Sequence, residues 1–168
     1  RLSLSLQIER RLGWHASDAL SPIYDDLPTV LADDAAVCAR AAALVAAGTD
    51  AYALTTHPGH HASAEHYGGY CFVNNAVHVA RLLTELGRRP FILDVDYHAG
   101  DGTAHLLMAE TASAASAATI ASRFVSLHAP KDYPFMPPGQ PWAVDVPPGA
   151  TWSVYAPLAL EALSRRRA

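Results

Sequence analysis

Histidines and aspartates cluster at two places in this 168-residue chain, and both residue types suit metal binding and proton transfer. Asp94, Asp96 and His98 alternate along one segment, so an extended backbone would turn all three side chains to one side. Carboxylate oxygen and imidazole nitrogen together are ligands for zinc, iron or another divalent first-row ion. The alternative is a strand end whose acids cap the next helix, and the spacing alone leaves both interpretations open.

The second cluster places four histidines within ten residues: His57, His60, His61 and His66. Burying the adjacent rings of His60 and His61 would require a polar partner for each. Asp94 and Asp101 are the natural partners if the loops meet, because a carboxylate fixes the imidazole tautomer and raises its basicity. This pattern predicts an acid–base pair; the alternative is a loop with two exposed histidines.

The elements that must position these residues follow from apolar periodicity and from turn residues. Helices are predicted over 33–47, 72–86, 102–110 and 151–163, and strands over 51–55, 91–95, 123–127 and 143–146. The Ala/Ser/Thr stretch 111–122 is predicted to extend a helix or form an exposed insertion. The alternation of helices and strands predicts an α/β three-layer sandwich with a mostly parallel sheet.

Three of the predicted strands end in polar residues. The histidines of the second cluster follow 51–55, the aspartates and His98 end or follow 91–95, and Ser126 and His128 end 123–127. We expect 91–95 to be a central strand buried on both faces. In a parallel sheet these strand ends share the carboxyl edge, where α/β proteins place their ligands. The sequence therefore predicts one site built from three loops.

Composition excludes several classes of protein. Hydrophobic residues make up 51% of the chain and charged residues 17%, which is typical of a globular domain rather than a disordered chain. The net charge of -4 and the absence of a basic stripe argue against direct nucleic-acid binding. The sequence contains no run of 18 apolar residues, so it predicts no membrane span. Two cysteines, Cys38 and Cys71, are too few for a disulfide framework, which favours a reducing, cytoplasmic setting.

Three motifs with their order and spacing resemble the histone deacetylase superfamily: HPGHHA at 57–62, GGYCFVNN at 68–75 and DVDYHAGDGT at 94–103. The residues of the second and third motifs are most similar to those of the bacterial acetylpolyamine amidohydrolases. The later VSLH at 125–128 and DYPF at 132–135 also fit. The resemblance implies that residues 1–168 form part of one deacetylase-like domain, with the arginase/deacetylase-like fold.

The resemblance also implies roles for single residues. Asp96 and His98 match two of three protein ligands of a catalytic divalent metal, expected to be zinc, with iron or another divalent ion as alternatives. His60 and His61 match the paired active-site histidines, oriented by Asp94 and Asp101 respectively.

Further matches concern the surroundings of that metal. Gly69 and Tyr70 match the wall of the acyl-amine tunnel, and His15, Asp18 and Tyr24 are candidates for its entrance loop. A structural potassium site would use the backbone oxygens of Asp94, Asp96, His98 and Leu127 with the Ser126 hydroxyl. The implied substrates are acetylated polyamines or acetyl-lysine, and a homodimer is a further implication.

The chain departs from the family pattern in two ways. Ala99 stands where a second histidine usually follows the metal ligand, so we expect a perturbed site. The family's third metal ligand and its carbonyl-polarising tyrosine would lie beyond residue 168, and we expect these 168 residues to be inactive alone. Two other functions stay open, namely a catalytically inactive homologue that binds a partner, and an arginase-like hydrolase of another C–N bond.

Overall fold

The computed structural model of the protein describes residues 13–111, 123–137 and 139–164. Its elements, in chain order, are α1 (Leu27–Ala46), α2 (Asn75–Glu85), β1 (Ile92–Asp94), α3 (Asp101–Thr111), β2 (Phe124–His128), β3 (Ala143–Asp145) and α4 (Trp152–Ser164). Most of the stretch predicted at 111–122 lies outside the described residues. None of the described helices combines the length and apolarity that crossing a membrane requires.

The three strands form a parallel sheet in the order β1-β2-β3, with Ile92 opposite Phe124 and Ser126 opposite Ala143. Because neighbouring side chains of a strand point to opposite faces, each strand supplies two cores. Phe124 and Trp142 pack on the face covered by α3, against Leu107 of that helix. Val125 and Leu127 pack on the other face with α4. The predicted three-layer α/β sandwich with a parallel sheet is confirmed.

The prediction of a buried strand over 51–55 is wrong. These residues have no strand pairing in the described structure, and Tyr52 is 89% exposed. An apolar run of five residues becomes a strand only when its backbone finds a partner, and periodicity does not report whether one is available. His60 and His61 therefore lie in a loop and do not follow the end of a strand.

The expectation that 91–95 is buried on both faces is also wrong for the described sheet. β1 lies at the edge, so Ile92, Leu93 and Asp94 are half-buried. β2 takes the central position, and all five of its residues are buried. Strand order depends on packing between distant segments, which explains why hydrophobicity alone assigned the central place to the wrong strand.

Two helices begin elsewhere than predicted. α1 begins at Leu27 with Pro28 in its first turn, so the acids at 33 and 34 lie in mid-helix and do not cap it. α2 begins at Asn75 because the side-chain oxygen of Asn74 accepts a hydrogen bond of 3.1 Å from the Val77 N–H. α1 packs against α2, which in turn contacts α3 and β1.

Candidate active site

Two histidine–aspartate pairs lie side by side at the carboxyl edge of the sheet. His60 Nδ1 lies 2.9 Å from Asp94 Oδ2, and His61 Nδ1 lies 2.7 Å from Asp101 Oδ1. The ring centroids of the two histidines are 4.0 Å apart. Because a carboxylate only accepts hydrogen bonds, each Nδ1 carries a hydrogen and donates it. In each neutral ring Nε2 is then left free to take up a proton.

Three elements hold these pairs together. Asp94 ends β1, Asp101 begins α3, and the loop before α2 carries both histidines. The His60 carbonyl accepts a hydrogen bond of 3.1 Å from the Thr103 N–H in the first turn of α3. Gly102 lies so close to the backbone of His61 that a methyl group there would overlap it. The register between the histidine loop and α3 is thus fixed by backbone contact.

The two imidazoles differ in their surroundings. The His61 side chain is 3% exposed and its ring nitrogen bonds a single carboxylate. Burial alone would lower the pKa of His60, but the hydrogen bond and charge of Asp94, with the charges of Asp96 and Asp101, outweigh it and raise the pKa. His60 therefore holds a proton more readily than an ordinary histidine does.

Asp96 and His98 lie in the loop after β1 and are close to each other. Asp96 Oδ1 accepts a hydrogen bond of 2.8 Å from the His98 N–H and lies 3.2 Å from His98 Nδ1 and 3.7 Å from His60 Nε2. Burial would raise the pKa of Asp96, but the His98 N–H and the charges of His60 and His98 lower it. Both side chains are more than two-fifths exposed, so a ligand can reach them.

These two donors suit one corner of a metal site. Two ligands about 2.0–2.1 Å from a tetrahedral zinc ion lie about 3.3 Å apart, close to the separation of Asp96 Oδ1 and His98 Nδ1. Within the described residues, however, no group of three His, Cys, Asp or Glu side chains is arranged to hold a metal. The donor set fits half of a zinc site in type and spacing.

Gly69 and Tyr70 form a wall beside His61. Gly69 has a φ of 55°, and a methyl group on its Cα would overlap His61 Cδ2, so glycine is required by both backbone and packing. Tyr70 also has a positive φ, of 61°, and its side chain is exposed beside the site. The structure therefore brings Gly69 against His61, and Tyr70 follows Gly69 in the chain.

The residues predicted for a potassium site come from adjacent strands. Ser126 is the Cα partner of Asp94 in the parallel register, and Leu127 follows it in β2. The buried Ser126 hydroxyl accepts from the Gly100 N–H at 3.3 Å and lies 3.0 Å from His128 Nδ1. Asp96 and His98 follow in the next loop, so the five residues share one region, and the cation itself stays a prediction.

Ala99, where we expected a perturbation, is fully buried against Phe124 and Trp142 in the core beneath α3. The Trp142 indole N–H is buried and has no hydrogen-bond partner among the residues that the structure describes. An unpaired buried donor is unfavourable, so this part of the core carries an energetic cost close to the site.

Tyr133 is a further neighbour of the histidines, and the sequence alone did not predict this contact. Its ring centroid lies 5.1 Å from that of His61 and 6.3 Å from that of His98, and its hydroxyl is 3.0 Å from Ser17 Oγ. The DYPF motif was the available signal, but its distance in sequence from the histidines concealed the contact. Tyr133 forms a second wall beside His61.

A buried polar cluster behind the site was also missed. His57 Nδ1 lies 3.1 Å from Asp34 Oδ2, and His57 Nε2 lies 2.8 Å from the Tyr24 hydroxyl. Asp34 also accepts hydrogen bonds from the Thr56 and His57 N–H groups. This cluster of Tyr24, Asp34 and His57, which we call the His57 clasp, ties the histidine loop to α1.

Comparison with known proteins gives the following matches. The family model described as histone deacetylase domain matches residues 7–160. The chain is 41% identical over 98 residues to acetylpolyamine amidohydrolase 2 of Pseudomonas aeruginosa, covering 57% of this chain and 28% of that protein. It is 40% identical over 79 residues to histone deacetylase 8 of Arabidopsis thaliana, covering 38% of this chain and 21% of that protein.

The fold is similar to a solved structure as well. The crystal structure of acetylpolyamine aminohydrolase from Burkholderia pseudomallei superposes with a TM-score of 0.72 at 26% identity. The match covers 91% of this chain and 46% of that chain. The chain thus spans less than half the length of these relatives.

Proposed function

We propose that this chain, which belongs to the histone deacetylase domain family, is part of a metal-dependent amidohydrolase that removes acetyl groups from amines. The observation that carries the proposal is the pair of buried histidine–aspartate couples beside Asp96 and His98. The chain is similar to proteins named acetylpolyamine amidohydrolase and histone deacetylase, and this similarity supports an acetylated polyamine or an acetyl-lysine as substrate.

In this proposal Asp96 and His98 are two protein ligands of zinc or another divalent ion, and a third comes from outside the described residues. The bound ion would supply Lewis-acid polarisation of the amide carbonyl and of water. Structural potassium near Ser126 and Leu127 is part of the same proposal, as is the assignment of 1–168 to a single partial domain.

The chain's own residues then handle the protons. With Nδ1 of each histidine engaged by Asp94 or Asp101, the Nε2 atoms of His60 and His61 are the available proton carriers. One imidazole accepts the proton of the attacking water, and the other returns a proton to the departing amine nitrogen. Gly69, Tyr70 and Tyr133 enclose the substrate chain and exclude water around it.

The test is release of acetate by the full-length gene product from an acetylated polyamine and from an acetyl-lysine peptide, with and without a chelator. We expect chelator-sensitive turnover of at least one substrate. Absence of such turnover would refute the enzyme proposal. A comparison of the two substrates identifies the class, and ultracentrifugation of the same sample tests the predicted homodimer.

A second function is that of a catalytically inactive homologue, in which no third ligand completes the metal site of Asp96 and His98. In that case the protein binds acetylated amines or a partner without hydrolysing them. Calorimetry with the same substrates distinguishes the two functions, since a binding module gives saturable heat without acetate. The two free cysteines are compatible with the cytoplasmic setting that we propose for either function.

A further inference from the structure

The carboxylate of Asp18 collects four hydrogen bonds from two distant parts of the chain. It accepts from the N–H groups of Leu20 and Ser21 at 2.6 and 2.7 Å and from the Ser21 hydroxyl at 2.9 Å. Its fourth donor is the N–H of Gly69. The Ser21 oxygen in turn accepts from the Tyr70 N–H at 2.9 Å. Two successive amides of the wall beside His61 are therefore held by Asp18 and Ser21, a pair that we call the Asp18 brace.

The wall needs such support because of its backbone. Gly69 and Tyr70 have φ values of 55° and 61°, and the left-handed region is unfavourable for a residue with a Cβ. Burial would raise the pKa of Asp18, but the hydrogen bonds from Gly69, Leu20 and Ser21 outweigh it and lower the pKa. The brace is thus ionised at neutral pH, and hydrogen bonds to an ionised acceptor are the stronger kind.

The position of Gly69 restricts the position of the His61 ring. The Cα of Gly69 lies against the ring so closely that no methyl group fits between them. Tyr133 also packs on the same ring, and its hydroxyl lies within hydrogen-bond distance of Ser17, the residue before Asp18. Ser17 also donates to the Tyr67 carbonyl at 3.1 Å. The segment from Ser17 to Ser21 therefore contacts both walls that enclose His61.

We infer that Asp18 and Ser21 are positioning residues, which hold Gly69 and Tyr70 in place and, through Gly69, fix the ring of His61 over Asp101. The catalytic part of this inference rests on the proposed function, whereas the structural part does not. Asp18 acts on both amides and Ser21 mainly on Tyr70. The two residues should therefore differ in their effect, and a generally destabilising change would not reproduce that difference.

The test compares Asp18→Ala, Asp18→Asn and Ser21→Ala in the full-length gene product, with the exposed Asp25→Ala as control. Hydrogen exchange of the amides of 69 and 70 is measured by mass spectrometry with residue-level fragmentation. We expect Asp18→Ala to accelerate exchange at both amides at least about tenfold, the equivalent of one lost hydrogen bond to a charged group. Ser21→Ala should accelerate Tyr70 more than Gly69, Asp18→Asn should give an intermediate effect, and Asp25→Ala none.

Kinetics provide the second readout. Ser21→Ala should mainly raise KM, because it loosens the Tyr70 wall. Asp18→Ala should also lower kcat by about tenfold or more, because small displacements of a reacting group are costly. Unchanged exchange in Asp18→Ala overturns the brace, and faster exchange with unchanged kinetics overturns its link to His61. A wild-type protein without turnover refutes the proposed function instead, while the exchange measurement still decides on the brace.

Discussion

Replacing Asp34 with alanine should destabilise the fold by about 4 kcal/mol, because this carboxylate supports the whole His57 clasp. It accepts from the Thr56 N–H at 2.7 Å, from the His57 N–H at 3.2 Å and from His57 Nδ1 at 3.1 Å. Water can reach the Thr56 donor after the substitution, because Thr56 is exposed, but the two His57 donors are buried. Each buried donor left unpaired costs about 1–3 kcal/mol, which gives the total.

Asp34→Asn should cost less, about 1–3 kcal/mol, because only one donor is left in conflict. The asparagine oxygen can still accept from Thr56. Its amide can donate to His57 Nδ1 if the ring changes tautomer, and Nε2 would then donate to the Tyr24 hydroxyl. The His57 N–H alone would face another donor. The neighbouring, exposed Asp33→Asn should change stability by less than about 0.5 kcal/mol.

Urea unfolding of the three variants measures these differences, and the pH dependence gives an independent check. Burial would raise the pKa of Asp34, but its hydrogen bonds from Thr56 and His57 lower it below the ordinary value of 3.8. Asp34 therefore stabilises the fold fully at pH values well above 3.8, and this stabilisation is lost as the pH falls through the lowered pKa of Asp34. Asp34→Asn should remove this part of the acid transition. If Asp34→Ala is no less stable than Asp33→Asn, the clasp contributes nothing.

The remaining predictions concern the site and its glycine and cysteine neighbours. His61→Ala in the full-length gene product should lower the deacetylation rate roughly 10²–10⁴-fold while metal content by atomic absorption stays the same; loss of metal would contradict a purely acid–base role. Gly69→Ala should destabilise by about 1–3 kcal/mol more than the backbone cost that Gly48→Ala reports, because Gly48 has a positive φ but open space around it; equal unfolding midpoints would argue against the His61 contact. Cys71, whose pKa burial raises to about 11, should resist iodoacetamide at pH 8 in the native protein and react after unfolding, as mass spectrometry can show; rapid native labelling would refute its burial.

The order of elements and the chemistry-bearing residues were accessible from the sequence. Helical periodicity and turn residues located the later helices and strands to within a residue or two, because these signals arise within a single segment. The adjacent histidines and the alternating acids predicted an acid–base and metal site without knowledge of the fold, and the structure brings His60 to Asp94 and His61 to Asp101. Local patterns such as these can be recognised from the sequence, because the direction of each side chain is set by its own backbone.

Packing between distant segments decided the rest. The run at 51–55 was apolar enough for a strand, yet in the described structure it pairs with none. β2 occupies the central position of the sheet, because strand order depends on packing between segments that are distant in sequence. The contacts of Asp34 with His57 and of Asp18 with Gly69 join residues 23 and 51 positions apart, so no local spacing could reveal them. Residue types and local spacing indicate which residues are candidates for the chemistry. The contacts of Asp34 and Asp18 depend on the folded chain, because hydrogen bonds depend on distances in space and not along the chain.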